Sequence, residues 1–306
     1  DNYRILKAAE ILIANGVAKP ILLGAISKME SIIEEYQLEL DGAEFIDIIA
    51  NSEGREKYAN DMYALRKRAG WTLAECRSKI KSREYYGNMM LREGAADALI
   101  SGLTVKYPTA LRPILSIIGM EEGIRKAAGM YTLLTKRGPM FFADTTINLD
   151  PTVDDLVQMV LNVADAVKRT NITPIITLLS YSNFGSSNGP DARKMAEVSK
   201  RLRNEHPELI VDGEMQANFA LDKALLEESF PFSDLVGHKA NVFIFPNLAA
   251  GNIAYKMLHS FGAAEAIGPL LIGTKRSAHV LQLGASVREI VNTATLAAVD
   301  ARTRKS

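Results

Sequence analysis

The sequence predicts an α/β protein with two domains or one large α/β unit. Short apolar runs alternate with longer amphipathic segments along most of the chain, which is the pattern of strands that alternate with helices. The apolar runs are continuous, as in strands that are buried on both faces of a parallel sheet. A length of 306 residues also exceeds one usual hydrophobic core. We therefore expect a parallel, doubly wound sheet.

The predicted elements follow this rhythm from one end of the chain to the other. The apolar runs expected to form strands are 20–23, 45–49, 98–100, 174–179, 209–211, 242–245 and 267–272. The amphipathic segments expected to form helices are 4–15, 27–36, 154–168, 191–203, 252–261 and 287–301, with a further helical region at 53–93. One hairpin, 130–135 with 140–145, interrupts the rhythm around Gly138. This break predicts a domain boundary near 122–129.

Composition and charge exclude several classes of function. Lysine plus arginine and aspartate plus glutamate both number 36, so no net field favours nucleic acid or an anionic membrane. The single cysteine, Cys76, and four histidines form no zinc pattern, so we expect a reducing cytoplasm and no metal site. No apolar run is long enough to span a membrane, and no signal-peptide pattern is present. Because a helix is predicted as early as residue 4, we expect an element or a whole domain to precede this chain.

A glycine-containing loop, SNFGSSNGP, follows one predicted strand and precedes a predicted helix. It begins at Ser182, and its Gly185, Ser186 and Ser187 allow backbone amides to converge on a phosphate at the helix start. An ordinary strand-to-helix connection explains the same residues equally well. Gly185, Ser187 and Gly189 also match the spacing of a hydrolase nucleophile elbow, but Ser187 lies too far beyond the strand end for that role.

Two further stretches carry candidate ligand-binding side chains. In NVFIFPNLAAGNIAYK, Asn247 and Asn252 can orient a ligand in a second strand-to-helix loop. Because loops at the carboxyl ends of parallel strands share one edge of a sheet, both loops are expected to face one cleft. Arg112 stands directly before Pro113 and can act as a fixed anion clamp, although a lone arginine is also typical of an exposed surface.

The stretch VLQLGASVREIVN, residues 280–292, has the form of an anion site at a helix start but carries no cation in its turn. Ser286 and Glu289 have the spacing of a capping box, which explains both residues without any chemistry. The functional alternative is that Glu289 projects into a cleft as a general base. Gln282 and Leu283 occupy the turn itself.

Several stretches resemble the phosphate acetyltransferase and butyryltransferase family, and together they cover almost the whole chain. They are YYGNMM from Tyr85, SG at Ser101, LRP from Leu111, DTTINLDPT from Asp144, DGEMQ from Asp212, KANVFIFPNL from Lys239, GN at Gly251, YK at Tyr255 and AIGPLL from Ala266. LSYSNFGSS from Leu179, VKY from Val105 and LGASVREIVN from Leu283 are similar to the C-terminal domain of bacterial hybrid NADP-dependent malic enzymes. In those polypeptides a malic enzyme portion precedes this domain.

The resemblance implies a fold of the isocitrate/isopropylmalate dehydrogenase-like type, with two α/β domains and an interdomain cleft. Residues 1–122 plus 271–306 then form domain I, and residues 123–270 form domain II, through which the family dimerises. Acetyl-CoA or CoA is the implied ligand. The expected contacts are Ser182, Gly185, Ser186, Ser187, Asn247, Asn252 and Lys256. NADP and a divalent metal are expected only in the malic enzyme portion.

The resemblance also assigns roles to the catalytic positions. Active members bind acetyl phosphate with an arginine before proline and with a serine-arginine pair, and an aspartate takes the proton from the CoA thiol. Arg112 retains the first arginine, and Glu289 stands at the aspartate position. The serine-arginine pair falls on Gln282 and Leu283, so the second cation is lost. Three functions stay open: a regulatory acyl-CoA-binding domain, an active phosphate acetyltransferase and a structural dimerisation module.

Overall fold

The chain divides into two compact units in a computed structural model that describes residues 2–304. One unit comprises the described residues up to Glu121 together with those from Thr274 onward, and the other is Glu122–Gly273. The chain therefore passes from one unit to the other at 121/122 and returns at 273/274. The boundaries expected from the sequence were 122/123 and 270/271.

The helices and strands cover most of both units. The helices are α1 (Tyr3–Ala14), α2 (Ile26–Tyr36), α3 (Ser52–Arg66), α4 (Leu73–Lys79), α5 (Arg83–Arg92), α6 (Tyr107–Pro113), α7 (Val153–Lys168), α8 (Pro190–Glu205), α9 (Ala217–Leu221), α10 (Lys223–Ser229), α11 (Leu248–Ser260) and α12 (Val287–Thr303). The strands are β1 (Ile21–Leu23), β2 (Glu44–Ile46), β3 (Ala98–Gly102), β4 (Ala128–Thr135), β5 (Gly138–Ala143), β6 (Ile175–Leu179), β7 (Ile210–Met215), β8 (Val242–Ile244), β9 (Ala264–Ile272) and β10 (Ser277–Leu281). None of the helices in this part of the chain is both long enough and apolar enough to cross a bilayer.

The unit formed by the two ends of the chain contains two separate pairs of parallel strands. β1 pairs with β2, and β10 pairs with β3 in a register that sets Leu281 beside Gly102. Next to the second pair, Ala8 of α1 packs with Leu281, Ala285 and Ile290 in a small apolar core. This core connects α1, the end of β10 and the start of α12.

The other unit is built on one six-stranded sheet with the order β7-β6-β8-β5-β4-β9. β7, β6, β8 and β5 are parallel, whereas β4 is antiparallel to both β5 and β9. The expected parallel pairing therefore holds for four of the six strands of this unit, whereas β4 and β9 add an antiparallel edge. The predicted hairpin is present as β4 and β5, but it belongs to the sheet, because its two strands pair with β8 and β9 on either side. The coarser prediction of a mixed α/β fold is confirmed.

Some elements were not predicted because polar residues interrupt their apolar pattern. β10 reads SAHVL, yet Ser277 and His279 are both buried, and the Ser277 Oγ lies 3.1 Å from the His279 Nε2. This internal hydrogen bond satisfies two polar groups that would otherwise argue against a buried strand. α6, α9 and α10 are too short to show a clear helical period.

Burial of His279 predicts that the protein loses stability in mild acid. The ring is buried, and desolvation lowers its pKa from 6.5 to about 4. The nearby Asp300 carboxylate opposes this shift, and its effect is smaller. The folded state therefore favours the neutral ring. Above pH 6.5 the ring is neutral in both states, and the free energy of unfolding keeps its full value. As the pH falls towards 4, the unfolded state binds the proton first, and the free energy of unfolding decreases by up to ~3 kcal/mol.

Denaturant unfolding between pH 7 and pH 4.5 measures this loss. We expect the wild-type free energy of unfolding to fall more steeply with acidity than that of His279→Gln, which carries no titrating ring. An NMR titration of the wild type gives an independent measurement if the variant folds poorly. A His279 ring that protonates near pH 6.5 in the folded protein would contradict the prediction.

Candidate functional site

The turn between β10 and α12, residues 282–285, carries no cationic side chain. Leu281 ends β10, and Gln282 and Leu283 follow as exposed residues, with Leu283 60% exposed. Gly284 has a φ of +78°, a backbone conformation that glycine adopts without a steric penalty. Ser286 then caps α12. The turn thus presents an amide side chain and an aliphatic side chain to solvent.

The Glu289 carboxylate is engaged in the capping box that the sequence predicts. The Ser286 Oγ accepts a hydrogen bond of 3.2 Å from the Glu289 backbone amide. The Glu289 Oε2 accepts from both the Ser286 amide and the Ser286 hydroxyl, each at 2.7 Å. The capping box is confirmed. Because the carboxylate points back to its own helix start, its local contacts are accounted for without a role in catalysis.

Two substitutions separate the capping role of this pair from a catalytic role. We expect Ser286→Ala to lower the free energy of unfolding by about 1 kcal/mol, because the amide of residue 289 loses its acceptor. Glu289→Gln retains an acceptor oxygen for the Ser286 amide, so we expect a loss below about 0.5 kcal/mol. Urea unfolding of both variants measures these changes. An equal or larger loss for Glu289→Gln would show that the carboxylate contributes more than capping.

Arg112 lies on α6, which follows the strand next to β10. β3 and β10 are parallel neighbours, so the loops at their carboxyl ends lie together, and the Gly284 amide donates to the Leu103 carbonyl at 3.4 Å. Arg112 is exposed near the end of α6, directly before Pro113. Arg112 therefore follows β3 in the chain, and Gln282, Leu283 and Glu289 follow its neighbour β10. Because Arg112 is exposed, its guanidinium is accessible to an anion.

In the other unit, the carboxyl ends of β6 and β8 lie side by side, as expected for the two predicted ligand-binding loops. The two strands are parallel partners, and Ile244 at the end of β8 pairs with Leu178 of β6. The Asn247 Nδ2 after β8 donates to the Asp191 Oδ2 at the start of α8, at 3.1 Å. The loops after β6 and β8 are thus joined by a direct hydrogen bond.

The SNFGSSNGP loop directs a hydroxyl and a backbone amide inward, onto a buried glutamate. The Glu214 Oε1 accepts from the Ser182 hydroxyl at 2.9 Å and from the Gly185 amide at 2.7 Å. The Ser182 hydroxyl in turn accepts from the Ser187 amide at 3.0 Å, and it lies 3.2 Å from the Ser186 hydroxyl. Because these amides and hydroxyls already have protein partners, the geometry favours a structured strand-to-helix connection over a phosphate cradle at Gly185 and Ser187.

Three candidate ligand-binding residues lie on or next to α11. Two are asparagines that bond to the protein itself, and the third is an exposed lysine. Asn247 caps the helix, because its Oδ1 accepts from the Ala250 amide at 3.0 Å. Asn252 donates to the Thr145 carbonyl at 3.0 Å. Both amides hold α11 in place. Lys256 lies further along α11 and is exposed, so its ammonium is accessible to an anionic ligand.

Comparison with known proteins places these loops in a family. A family model described as phosphate acetyl/butaryl transferase matches residues 1–298. The chain belongs to this family. It is 32% identical to a phosphate acetyltransferase from Clostridium acetobutylicum over 99% of this chain and 92% of that protein. It is also 29% identical to a phosphotransacetylase structure from Streptococcus pyogenes, with a TM-score of 0.91 over 99% of this chain and 92% of the other.

A second group of relatives is longer than the chain. The chain is 37% identical to an NADP-dependent malic enzyme from Haemophilus influenzae over 305 residues, which are 99% of this chain but 40% of that enzyme. This phosphate acetyl/butaryl transferase fold is therefore shared by free-standing transferases and by a part of much longer malic enzymes. The expected resemblance to both groups is confirmed.

Two acidic residues that shape the transferase fold were quoted in family motifs but were given no role. Asp144, in DTTINLDPT, is buried, and its carboxylate accepts from the backbone amides of Gly129, Thr146, Ile147 and Asn148 at 2.7–3.1 Å. Glu214, in DGEMQ, holds the SNFGSSNGP loop. These roles were not visible in the sequence, because Gly129 lies 15 residues from Asp144, and Ser182 and Gly185 lie 32 and 29 residues from Glu214.

Proposed function

We propose that this chain is a phosphotransacetylase-like domain that binds acetyl-CoA or CoA and no longer transfers an acyl group efficiently. The observation that supports this proposal most strongly is Leu283, whose exposed aliphatic side chain occupies the position where the resemblance places an arginine. Gln282 replaces the neighbouring serine. The side chains of residues 282–285 would therefore offer acetyl phosphate no positive charge.

Loss of the cation at position 283 is expected to lower the rate of acyl transfer much more than the affinity for CoA. Removing one preorganised donor from a developing oxyanion typically lowers the rate by about 10²–10³, or roughly 2.7–4 kcal/mol. An alkyl group in place of a guanidinium removes both a charge and several donors. In this proposal other residues bind the adenosine and pantetheine parts of CoA, so their binding is compatible with the loss at Leu283.

The malic enzyme relatives suggest what such binding is for. We place the chain in a longer polypeptide with an N-terminal malic enzyme domain, where NADP and a divalent metal belong, and where this domain senses acetyl-CoA in the cytoplasm. The family similarity to long malic enzymes supports this arrangement. An isocitrate/isopropylmalate dehydrogenase-like architecture and dimerisation through residues 123–270 are part of the same proposal.

Two titrations test the proposal. Calorimetry with acetyl-CoA on the 306-residue chain should give saturable binding, and ligand at about 100 times its Kd should stabilise the fold by roughly 2.7 kcal/mol. In a polypeptide that carries the malic enzyme portion, acetyl-CoA should change the rate of malate oxidation. Absence of binding would reject the proposal, and binding without any change in that rate would reject the regulatory role alone.

An active phosphate acetyltransferase is the second candidate. Exposed Arg112 and a carboxylate at position 289 favour it, because they are an anion-binding group and a base at the positions that the resemblance requires. In this alternative Arg112 binds the phosphate of acetyl phosphate, and Glu289 takes the thiol proton. Turnover of CoA and acetyl phosphate by the wild-type chain distinguishes the two candidates.

A further inference from the structure

Arg4, in the first turn of α1, holds the β10–α12 turn by its backbone. Its Nη1 donates to the Gly284 carbonyl at 2.6 Å and to the Ala285 carbonyl at 3.2 Å, across 280 residues of sequence. These two carbonyls directly precede Ser286, the N-cap of α12, and follow the exposed Gln282 and Leu283. A single guanidinium nitrogen therefore fixes the segment that presents the candidate ligand-binding side chains.

Arg4 lies in the first turn of its own helix, where a cation is electrostatically unfavourable. A cation in the first turn of a helix opposes the helix dipole, and the first turn of α1 contains no acidic residue to offset it. The guanidinium instead gains charge-assisted hydrogen bonds to two carbonyls. The hydrogen-bond acceptors of the Arg4 guanidinium thus lie in the β10–α12 turn and not in α1.

The apolar core beneath the turn reinforces this connection. Ala8 of α1 is buried with Ala285 and Ile290, and Ile5 packs against the same cluster. The helix that carries Arg4 is therefore packed under the turn as well as hydrogen bonded to it. A displacement of α1 would remove both the guanidinium from the two carbonyls and the apolar support from Ala285.

We propose that Arg4 is a positioning residue for the acyl-CoA ligand: it keeps the Gln282–Ala285 turn in its binding conformation and makes ligand affinity depend on the position of α1. This inference rests on the proposed function for the identity of the ligand, CoA. It does not rest on a direct contact between Arg4 and CoA. The contact to main-chain carbonyls acts whatever side chains stand at 282 and 283.

The chain offers a closely matched control. The Arg55 Nη1 also donates to two successive backbone carbonyls, those of Ile48 and Ile49, in the part of the unit that contains β1 and β2. Arg55→Gln thus removes the same kind of interaction without touching the β10–α12 turn. Arg4→Lys is the conservative variant, because one nitrogen makes both contacts of Arg4 and an ammonium can donate two hydrogen bonds.

Two measurements on the full chain test the inference. Hydrogen–deuterium exchange should show faster exchange of residues 283–290 in Arg4→Gln than in the wild type or in Arg55→Gln. Calorimetry with CoA should show affinity about tenfold weaker in Arg4→Gln, within about twofold of wild type in Arg55→Gln, and largely restored in Arg4→Lys.

Each outcome separates this inference from the proposed function. Unchanged exchange at 283–290 in Arg4→Gln would overturn the positioning role, whether or not CoA binds. Faster exchange with unchanged CoA affinity would overturn the link between the turn and the ligand. A wild-type chain that binds no CoA, combined with faster exchange in Arg4→Gln, would reject the proposed function and with it the link to CoA, and would leave Arg4 as the residue that holds the turn.

Discussion

The double substitution Gln282→Ser with Leu283→Arg is expected to raise the rate of acetyl phosphate formation from acetyl-CoA and phosphate by about 10²-fold or more. The change places a guanidinium and a hydroxyl where active relatives are expected to bind phosphate or the phosphate group of acetyl phosphate. Leu283 is 60% exposed, so an arginine fits at this position without disturbing the core. Initial rates measured at saturating CoA or acetyl-CoA test the gain, because saturation removes differences in ligand affinity.

A second exposed leucine provides the control for this gain. Leu149 is 77% exposed and lies in the other unit, so Leu149→Arg adds the same charge away from the β10–α12 turn. We expect no increase in rate for Leu149→Arg. If the double variant is no faster than the wild type, loss of the cation at 283 is not what limits transfer. Adding Glu289→Gln to the double variant then tests whether this carboxylate acts as the base, since the capping contacts are largely retained.

Asp144→Asn is expected to lower the free energy of unfolding by about 3–5 kcal/mol. The buried carboxylate accepts four backbone amides and the Asn148 side-chain amide. An asparagine removes the charge and turns a donor towards some of these donors, so at least two charge-assisted hydrogen bonds are lost. Denaturant unfolding followed by circular dichroism measures the effect.

The same loop contains a suitable comparison. Asp150 forms an ion pair of 2.7 Å with Lys194, but its side chain is 81% exposed, and exposed ion pairs contribute little to stability. We expect Asp150→Asn to change stability by less than about 0.5 kcal/mol. Similar small effects for both variants would show that the Asp144 network does not hold this loop.

The elements that depend on local sequence patterns could be predicted. The elements and strand pairings that depend on residues far apart in the chain could not. The start of the helix at 287 was predicted correctly, because Ser286 and Glu289 form a local capping box, whereas its end lies at Thr303 and not at 301. The pairing of β4 with β9 was not predicted, since an antiparallel edge depends on strands far apart in the chain. β10 was missed because Ser277 and His279 satisfy each other only after folding.

The candidate site follows the same division. The loss of a cation at Gln282 and Leu283 could be inferred from the sequence, because it concerns which residue stands at a position. The inward direction of the SNFGSSNGP loop could not, because it depends on Glu214, which lies 29 residues from Gly185. Arg4 was equally invisible, since its carbonyl partners are 280 residues away. Side-chain identity and local capping could be predicted from the sequence, whereas hydrogen-bond partners far apart in the chain could not.

The most direct measurement combines binding and turnover on one sample of the wild-type chain. Calorimetry establishes saturation with CoA, and the same sample is then mixed with acetyl phosphate while acetyl-CoA formation is followed. We predict saturable CoA binding with a rate at least about 10²-fold below that of the Gln282→Ser, Leu283→Arg variant. Wild-type turnover equal to that of the variant would contradict the loss of acyl transfer at Leu283.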